Sequence, residues 1–229
     1  VNNIEMSATL REWYPDADIN LLVLGTPIFE PYLKDDARKQ LNLPDDQFIM
    51  TQIGFYGVDK GMLDIVKALP QITIPNFKLV FAGGFHPLAS PVHKPHVLEC
   101  MKTAIKDGTT KKVGFLNKIL SEKEINLWAS ASDFLILNQA MVFGASSSAS
   151  AHRLLCAGKP FIMSQSPKLS EFSHNIHCVK TFPDKIAETV NNLYDNKELQ
   201  EKISKNVVEY AKETSFEVLA KKHMEVYNK

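Results

Sequence analysis

Seven short apolar runs punctuate this chain, with helical patterns between most of them, and that alternation restricts the fold more than any other feature. The runs are Asn20–Gly25, Phe48–Gly54, Lys78–Gly84, Lys111–Leu116, Asp133–Asn138, Pro160–Ser164 and His177–Phe182. Most are nearly continuous in apolar residues, as strands covered on both faces must be; a strand with one wet face would alternate. Between them, DARKQLN ends at a Leu43–Pro44 stop, and Met62, Ile65, Val66 and Leu69 recur at helical spacing. Ser121-x-x-Glu124 has the form of a capping box, and Ile186, Val190 and Leu193 share one stripe. From Asn191 the pattern stays helical to Lys229, with a break expected near Thr214–Ser215. The stretch GGFHPLASPVHKPHV reads as the longest loop. Strand and helix alternating at this spacing predict an α/β fold, a Rossmann-like doubly wound parallel sheet with C-terminal helices. In such folds ligands sit beyond the carboxyl ends of the strands, where strand order reverses.

Composition removes several function classes. At 229 residues the chain is long enough for one large domain with an appendage, and residues 1–30 read as a lead-in or linker to a domain spanning 31–229. Lysine and arginine equal aspartate and glutamate at 26 each, so no global field favours nucleic acid. Cys100, Cys156 and Cys178 are widely spaced and outside any CxxC pattern, which points to a reducing, cytoplasmic setting and not to a disulfide framework. No apolar run approaches the roughly 20 residues of a membrane span. The first residues lack the charged and apolar regions of a signal peptide, and the chain starts at Val1, so we expect a piece of a longer protein.

The residues that follow each strand carry the chemistry. IGFYGVDKGM supplies Gly54 and Lys60 in a glycine-shaped turn before a helix, where a lysine opposes the helix dipole unless an anion is near. It is not a Walker A sequence, because Gly61 follows Lys60. Gly83 and Gly84 would let a ligand or another backbone come close, and His86 could donate to a hydroxyl or a phosphate. The serine cluster Ser146, Ser147, Ser148 and Ser150 falls at a helix start, where backbone N–H groups lack intrahelical partners and favour an anion or a cap. Arg153 stands in the same short helix, and Glu171 follows the next strand. His93-x-x-His96 and His174-x-x-His177 lack the spacing and companions of a zinc site. No Ser-His-Asp order, spaced carboxylate pair or HExxH motif is present.

Read in order, these pieces resemble the C-terminal, donor-binding half of the family 4, group 1-like glycosyltransferases of the GT-B fold, from about Asp35 to Lys229. LNLPDDQFIMTQIGFYGVDKGMLDIVKALPQI is similar to the family's Leu-x-Leu-Pro opening, its Gly-Arg-Leu-x-x-x-Lys-Gly turn and a helix ending in Leu-Pro. KLVFAGGFHP resembles its Ala-Gly-Gly strand, and VGFLNKILSEKEINLWASASDFLIL its Gly-Phe-Leu turn with the following helix and strand. AGKPFIMS with the later Glu171, and SFEVLAKKHMEVY, match the closing motifs. The resemblance implies a retaining transfer of a hexose-type sugar from a nucleotide diphosphate donor to a glycan or glycoconjugate, as in polysaccharide biosynthesis, with no metal. By position, Gly54, Lys60, Gly84, His86, Ser146, Ser147, Ser148 and Arg153 would bind the donor and its phosphates. Phe115, Leu116 and Glu171 would lie near the base and ribose. The acceptor would be held by an N-terminal domain that this chain lacks, so the chain alone is expected to be inactive. Peripheral membrane association belongs to the full-length protein on this reading.

Two departures accompany the resemblance. Phe55 stands where the family usually places an arginine beside the donor phosphates. The family's two glutamates, with seven residues between them, would fall at Ala145 and Arg153. Arg153 therefore offers a replacement for the phosphate charge lost at Phe55. The competing expectation is a degenerate GT-B-like binding or assembly module without transfer chemistry. A different GT-B enzyme, such as a sugar-nucleotide epimerase, fits the fold but not the motif order.

Overall fold

The computed structural model describes residues 1–88, 90–140 and 147–228. Its centre is one parallel sheet made of β1 (Phe48–Ile53), β2 (Phe77–Ala82), β3 (Val113–Phe115), β4 (Phe134–Leu137), β5 (Phe161–Ser164) and β6 (Val179–Thr181). The spatial order is β3-β2-β1-β4-β5-β6. β1 pairs with β2 from Phe48↔Phe77 to Ile53↔Ala82, and on its other edge with β4 at Met50↔Phe134 and Thr51↔Leu135. Chain order therefore reverses between β1 and β4, which is the switch point of a doubly wound sheet.

The apolar runs form strands because helices cover both faces. Ile49, Leu79, Leu135, Phe161 and Ile162 are fully buried. The helices are α1 (Ile4–Trp13), α2 (Lys34–Gln40), α3 (Met62–Ala68), α4 (His93–Lys106), α5 (Glu122–Ala131), α6 (Ala149–His152), α7 (Ile186–Asp195), α8 (Lys197–Glu213) and α9 (Phe216–Tyr227). The capping box of α5 is made in both directions between Ser121 and Glu124. The break near Thr214 is real: the Ser215 side chain accepts from the Val218 N–H and starts α9. Arg38, 1% exposed, is the largest charge inside. Its guanidinium donates to the carbonyls of Ala131 and Asp45 and to Asp133, which also accepts from the Ile49 N–H, so α2 is tied to the amino ends of β1 and β4.

Two expectations need correction. Asn20–Gly25 is not a strand: the Leu22 N–H bonds to the Val1 carbonyl, and a single bridge joins Thr26 to Ser215. An apolar run becomes a strand only where a sheet edge accepts it, and this run lies against chain termini instead. The last third of the expected long loop belongs to α4, which starts at His93 and carries Pro95 in its first turn, where no intrahelical N–H is lost. Among the described residues, no helix is long and apolar enough to cross a membrane.

Candidate functional site

The loops after β1, β2 and β3 are locked together by backbone. The Gly54 N–H donates to Ala82 O at 3.1 Å, Tyr56 N–H to Gly84 O at 2.8 Å, and Lys118 N–H to Gly83 O at 2.8 Å. Tyr56, 4% exposed, adds a side-chain tie: its hydroxyl donates to Phe81 O at 2.8 Å and accepts from the Asn117 N–H at 2.9 Å. Burial pushes its phenol pKa up, so the hydroxyl stays a donor. The glycines serve this close approach. A Cβ on Gly83 would stand 1.8 Å from the Gly54 carbonyl oxygen, and Gly54 itself has φ +139.

Above these loops lies a cleft of about 240 Å³, lined by Gly54, Phe55, Gly84, Ile119, Ser150 and Arg153 among others. It sits beyond the carboxyl ends of β1 and β2, beside α6. Two larger hollows, about 660 and 780 Å³, run along the 22–29 segment and the start of α9, and the first of them shares Ala149 and Arg153 with the cleft. Size does not select the site; position over the switch point does.

The expected residues divide into three groups. Gly54, Gly84 and Arg153 line the cleft. His86 stands at the rim, with its ring edge-on to Phe55 at 4.8 Å and its Nδ1 accepting from the Leu88 N–H. Lys60 is partly covered and paired with Asp59 at 3.0 Å. Leu116 is exposed, its N–H on Phe81 O, while Phe115 stacks on Phe81 and faces a separate groove beside α4.

The others turn away from the cleft. Ser147 donates to the Asn2 carbonyl, and Ser148 is buried, accepting from Gln139 Nε2 at 2.7 Å. Ser146 and Ala145 lie outside the described residues. The helix that these serines precede is a single turn, Ala149–His152, followed by a 3-10 turn at Leu155–Ala157, so only a weak dipole reaches the cleft. Glu171 is 9% exposed and points inward, 3.1 Å from His152 Nε2 and 3.0 Å from the Tyr210 hydroxyl. Its loop follows β5, as the sequence indicates, but its side chain fills the core side of that loop.

Residue reasoning missed Ile119, Leu120 and Ile125, which make the cleft wall apolar, and Tyr56, which ties its floor. The only sequence signal for them is their place after a short strand. Arg153 is joined to Glu122, and both line the neighbouring hollow of about 660 Å³. Three of the four paired histidines bond locally: His93 Nδ1 accepts from Val58 N–H, His174 Nδ1 from Lys180 N–H and His177 Nδ1 from Ser173 N–H, while His96 Nε2 is buried without a partner among the described residues.

A parallel sheet in this order, with a cleft over its switch point, defines a Rossmann-like domain of the kind found in GT-B folds. The chain belongs to the glycosyl transferases group 1 family, whose model matches residues 34–210. Sucrose-phosphate synthase from Thermosynechococcus elongatus superposes at TM-score 0.81 with 22% identity, over 100% of this chain and 57% of that one. Alr3699/HepE from Anabaena, solved in complex with UDP, gives TM-score 0.85 at 16% identity, over 100% of this chain and 62% of its own; a UDP-glucose complex of it also matches. The C-terminal domain of the group 1 family protein LpcC from Francisella tularensis gives TM-score 0.65 at 17% identity, over 80% and 93% of the two chains. This chain thus spans about three fifths of the first two relatives. No curated protein matches it significantly.

Proposed function

We propose that the chain is the nucleotide-sugar-binding half of a retaining glycosyltransferase that moves a hexose-type sugar to a glycan or glycoconjugate in the cytoplasm. The observation that carries this reading is the cleft bounded by Gly54, Gly84, Ser150 and Arg153 over the switch point, in a chain of this family. The apolar wall of Ile119, Leu120 and Ile125 suits the face of a base or sugar ring, and Arg153 is the cation placed to meet phosphate. Lys60 adds a second cation nearby in sequence to the β1 turn. The reading calls for no metal. Acceptor binding, and any hold on a membrane surface, fall to further chain, so this polypeptide alone binds donor without transferring sugar.

A second reading is a binding or assembly module of the same fold. Arg153 favours it, because an arginine standing at the place of an acid cannot accept hydrogen bonds from sugar or ribose hydroxyls. Melting temperature followed against UDP, GDP, ADP and their hexose conjugates separates the two. A donor at about 100 times its dissociation constant raises stability by about 2.7 kcal/mol. A flat response to every nucleotide would leave the module reading alone.

A further inference from the structure

Four phenyl or phenol rings stand at the ends of β1, β2 and β3, and three of them are spent on packing. Tyr56 is buried with its hydroxyl committed to Phe81 O and the Asn117 N–H. Phe85 packs edge-to-face on Tyr56 at 5.5 Å. Phe115, which the sequence placed near the base, stacks on Phe81 at 5.0 Å and faces the groove beside α4. Phe55 is the exception. It is 44% exposed, and it is the one aromatic side chain among the described residues that line the cleft.

Its ring is held in place although it is exposed. Gly54, at φ +139, ends the alternation of β1 immediately before it, in a region of backbone space that favours glycine. The Gly54 and Tyr56 N–H groups on either side bond to Ala82 O and Gly84 O, so the backbone under the ring is fixed to the end of β2. The His86 ring then meets the Phe55 ring at 85°, with centroids 4.8 Å apart, the edge-to-face arrangement that aromatic pairs favour. His86 is itself anchored, because its Nδ1 accepts from the Leu88 N–H at 3.1 Å. A side chain held this way has little rotamer freedom left to lose when a ligand arrives.

The cleft therefore has two unlike ends. Arg153 turns towards Glu122 at the start of α5, whereas the Phe55 ring turns towards the loop after β2. Gly54 and Ser150 lie between them, close enough that a Cβ on Gly54 would stand 3.5 Å from Ser150 Oγ. A phenyl ring has no charge and no donor, so it gives a phosphate nothing. It does present a flat apolar face, on which a planar base stacks well whatever its sequence of polar edge groups. A nucleoside diphosphate has the same two ends, one planar and one anionic. We propose that Phe55 is the stacking platform for the nucleotide base, that His86 is the positioning residue for its ring, and that the diphosphate lies at the Arg153 end. This inference rests on the donor-cleft reading.

The test titrates UDP, GDP and ADP calorimetrically into the native chain, Phe55→Leu, Phe55→Trp and His86→Ala. Phe55→Leu keeps apolar bulk but removes the aromatic face, and it is expected to weaken every nucleotide that binds by about tenfold or more, the scale of one base–aromatic stack. Phe55→Trp is expected to bind at least as tightly as the native chain. His86→Ala leaves the ring without its support and is expected to lose less, about threefold. Because the ring is well exposed, Phe55→Leu without ligand is expected to melt with the native chain, which a purely structural role would not allow. With the Phe55 ring isotope-labelled, nuclear Overhauser contacts are expected between it and the base protons of the bound nucleotide. Undiminished nucleotide affinity in Phe55→Leu, or a bound nucleotide whose base makes no such contact, would overturn the proposal and leave the donor-cleft reading standing. A native chain that binds none of these nucleotides would sink that reading and the platform with it.

Discussion

Arg153, which lines the cleft, is paired with Glu122, the first residue of α5, and the two also line the neighbouring hollow of about 660 Å³, so this arginine is already neutralised by a neighbour. Both side chains are well exposed, at 48% and 68%, and exposed pairs contribute about 1 kcal/mol or less. A diphosphate carries more charge and more acceptors than one carboxylate, so it should displace Glu122. Glu122→Gln is therefore expected to tighten UDP by about two- to fivefold. Arg153→Ala is expected to weaken it by about tenfold or more, as loss of a charged hydrogen bond does. Calorimetry on the two variants checks this, and unchanged binding in Arg153→Ala would remove the arginine from any phosphate role.

Gly83→Ala tests whether the cleft floor needs its close backbone approach. The new Cβ would meet Gly54 O at 1.8 Å, and neither atom belongs to a flexible side chain. The strands must part to admit it, at about 3 kcal/mol or more. Chemical denaturation gives the cost, while Gly108→Ala, where nothing lies within 4 Å but φ is +67, separates overpacking from left-handed strain of about 1 kcal/mol.

Lys159 gives a prediction for the pH dependence of stability. Burial, then the nearby Lys34, lowers its ammonium from 10.5 to about 8, against the opposing pull of Asp133. A lowered lysine pKa means that the folded chain releases its proton before the unfolded chain does. Its penalty is full below about pH 8 and lifts as pH rises from there towards 10.5. Lys159→Met is expected to stabilise the chain at neutral pH by on the order of 2 kcal/mol. The gain should shrink as pH climbs, and melting curves of the two proteins at neutral and alkaline pH check both points.

The strands of the sheet were legible because their signal is local. FIMTQI, FKLVFA and FLIL can be buried on both faces wherever they end up, and their apolar runs say so. The same signal misled at Asn20–Gly25, since apolar content reports burial but not whether a sheet edge is free. α4 was hidden because prolines and histidines crowd its first turn, while the residues that bury it, Val97, Cys100 and Ala104, lie further on.

The site was legible in outline only. Gly54, Gly84 and Arg153 reach the cleft because their places after β1, β2 and β4 follow from chain order. Ser148 and Glu171 occupy comparable places, yet their side chains turn to Gln139, His152 and Tyr210. By itself the sequence determined the parallel sheet, the family and the loops that surround the cleft, because apolar periodicity and motif order are properties of neighbours along the chain. Only the tertiary structure decided which side chains face that cleft, because a side chain's direction is set by partners such as Thr26 and Glu171 of His152, 126 and 19 residues away.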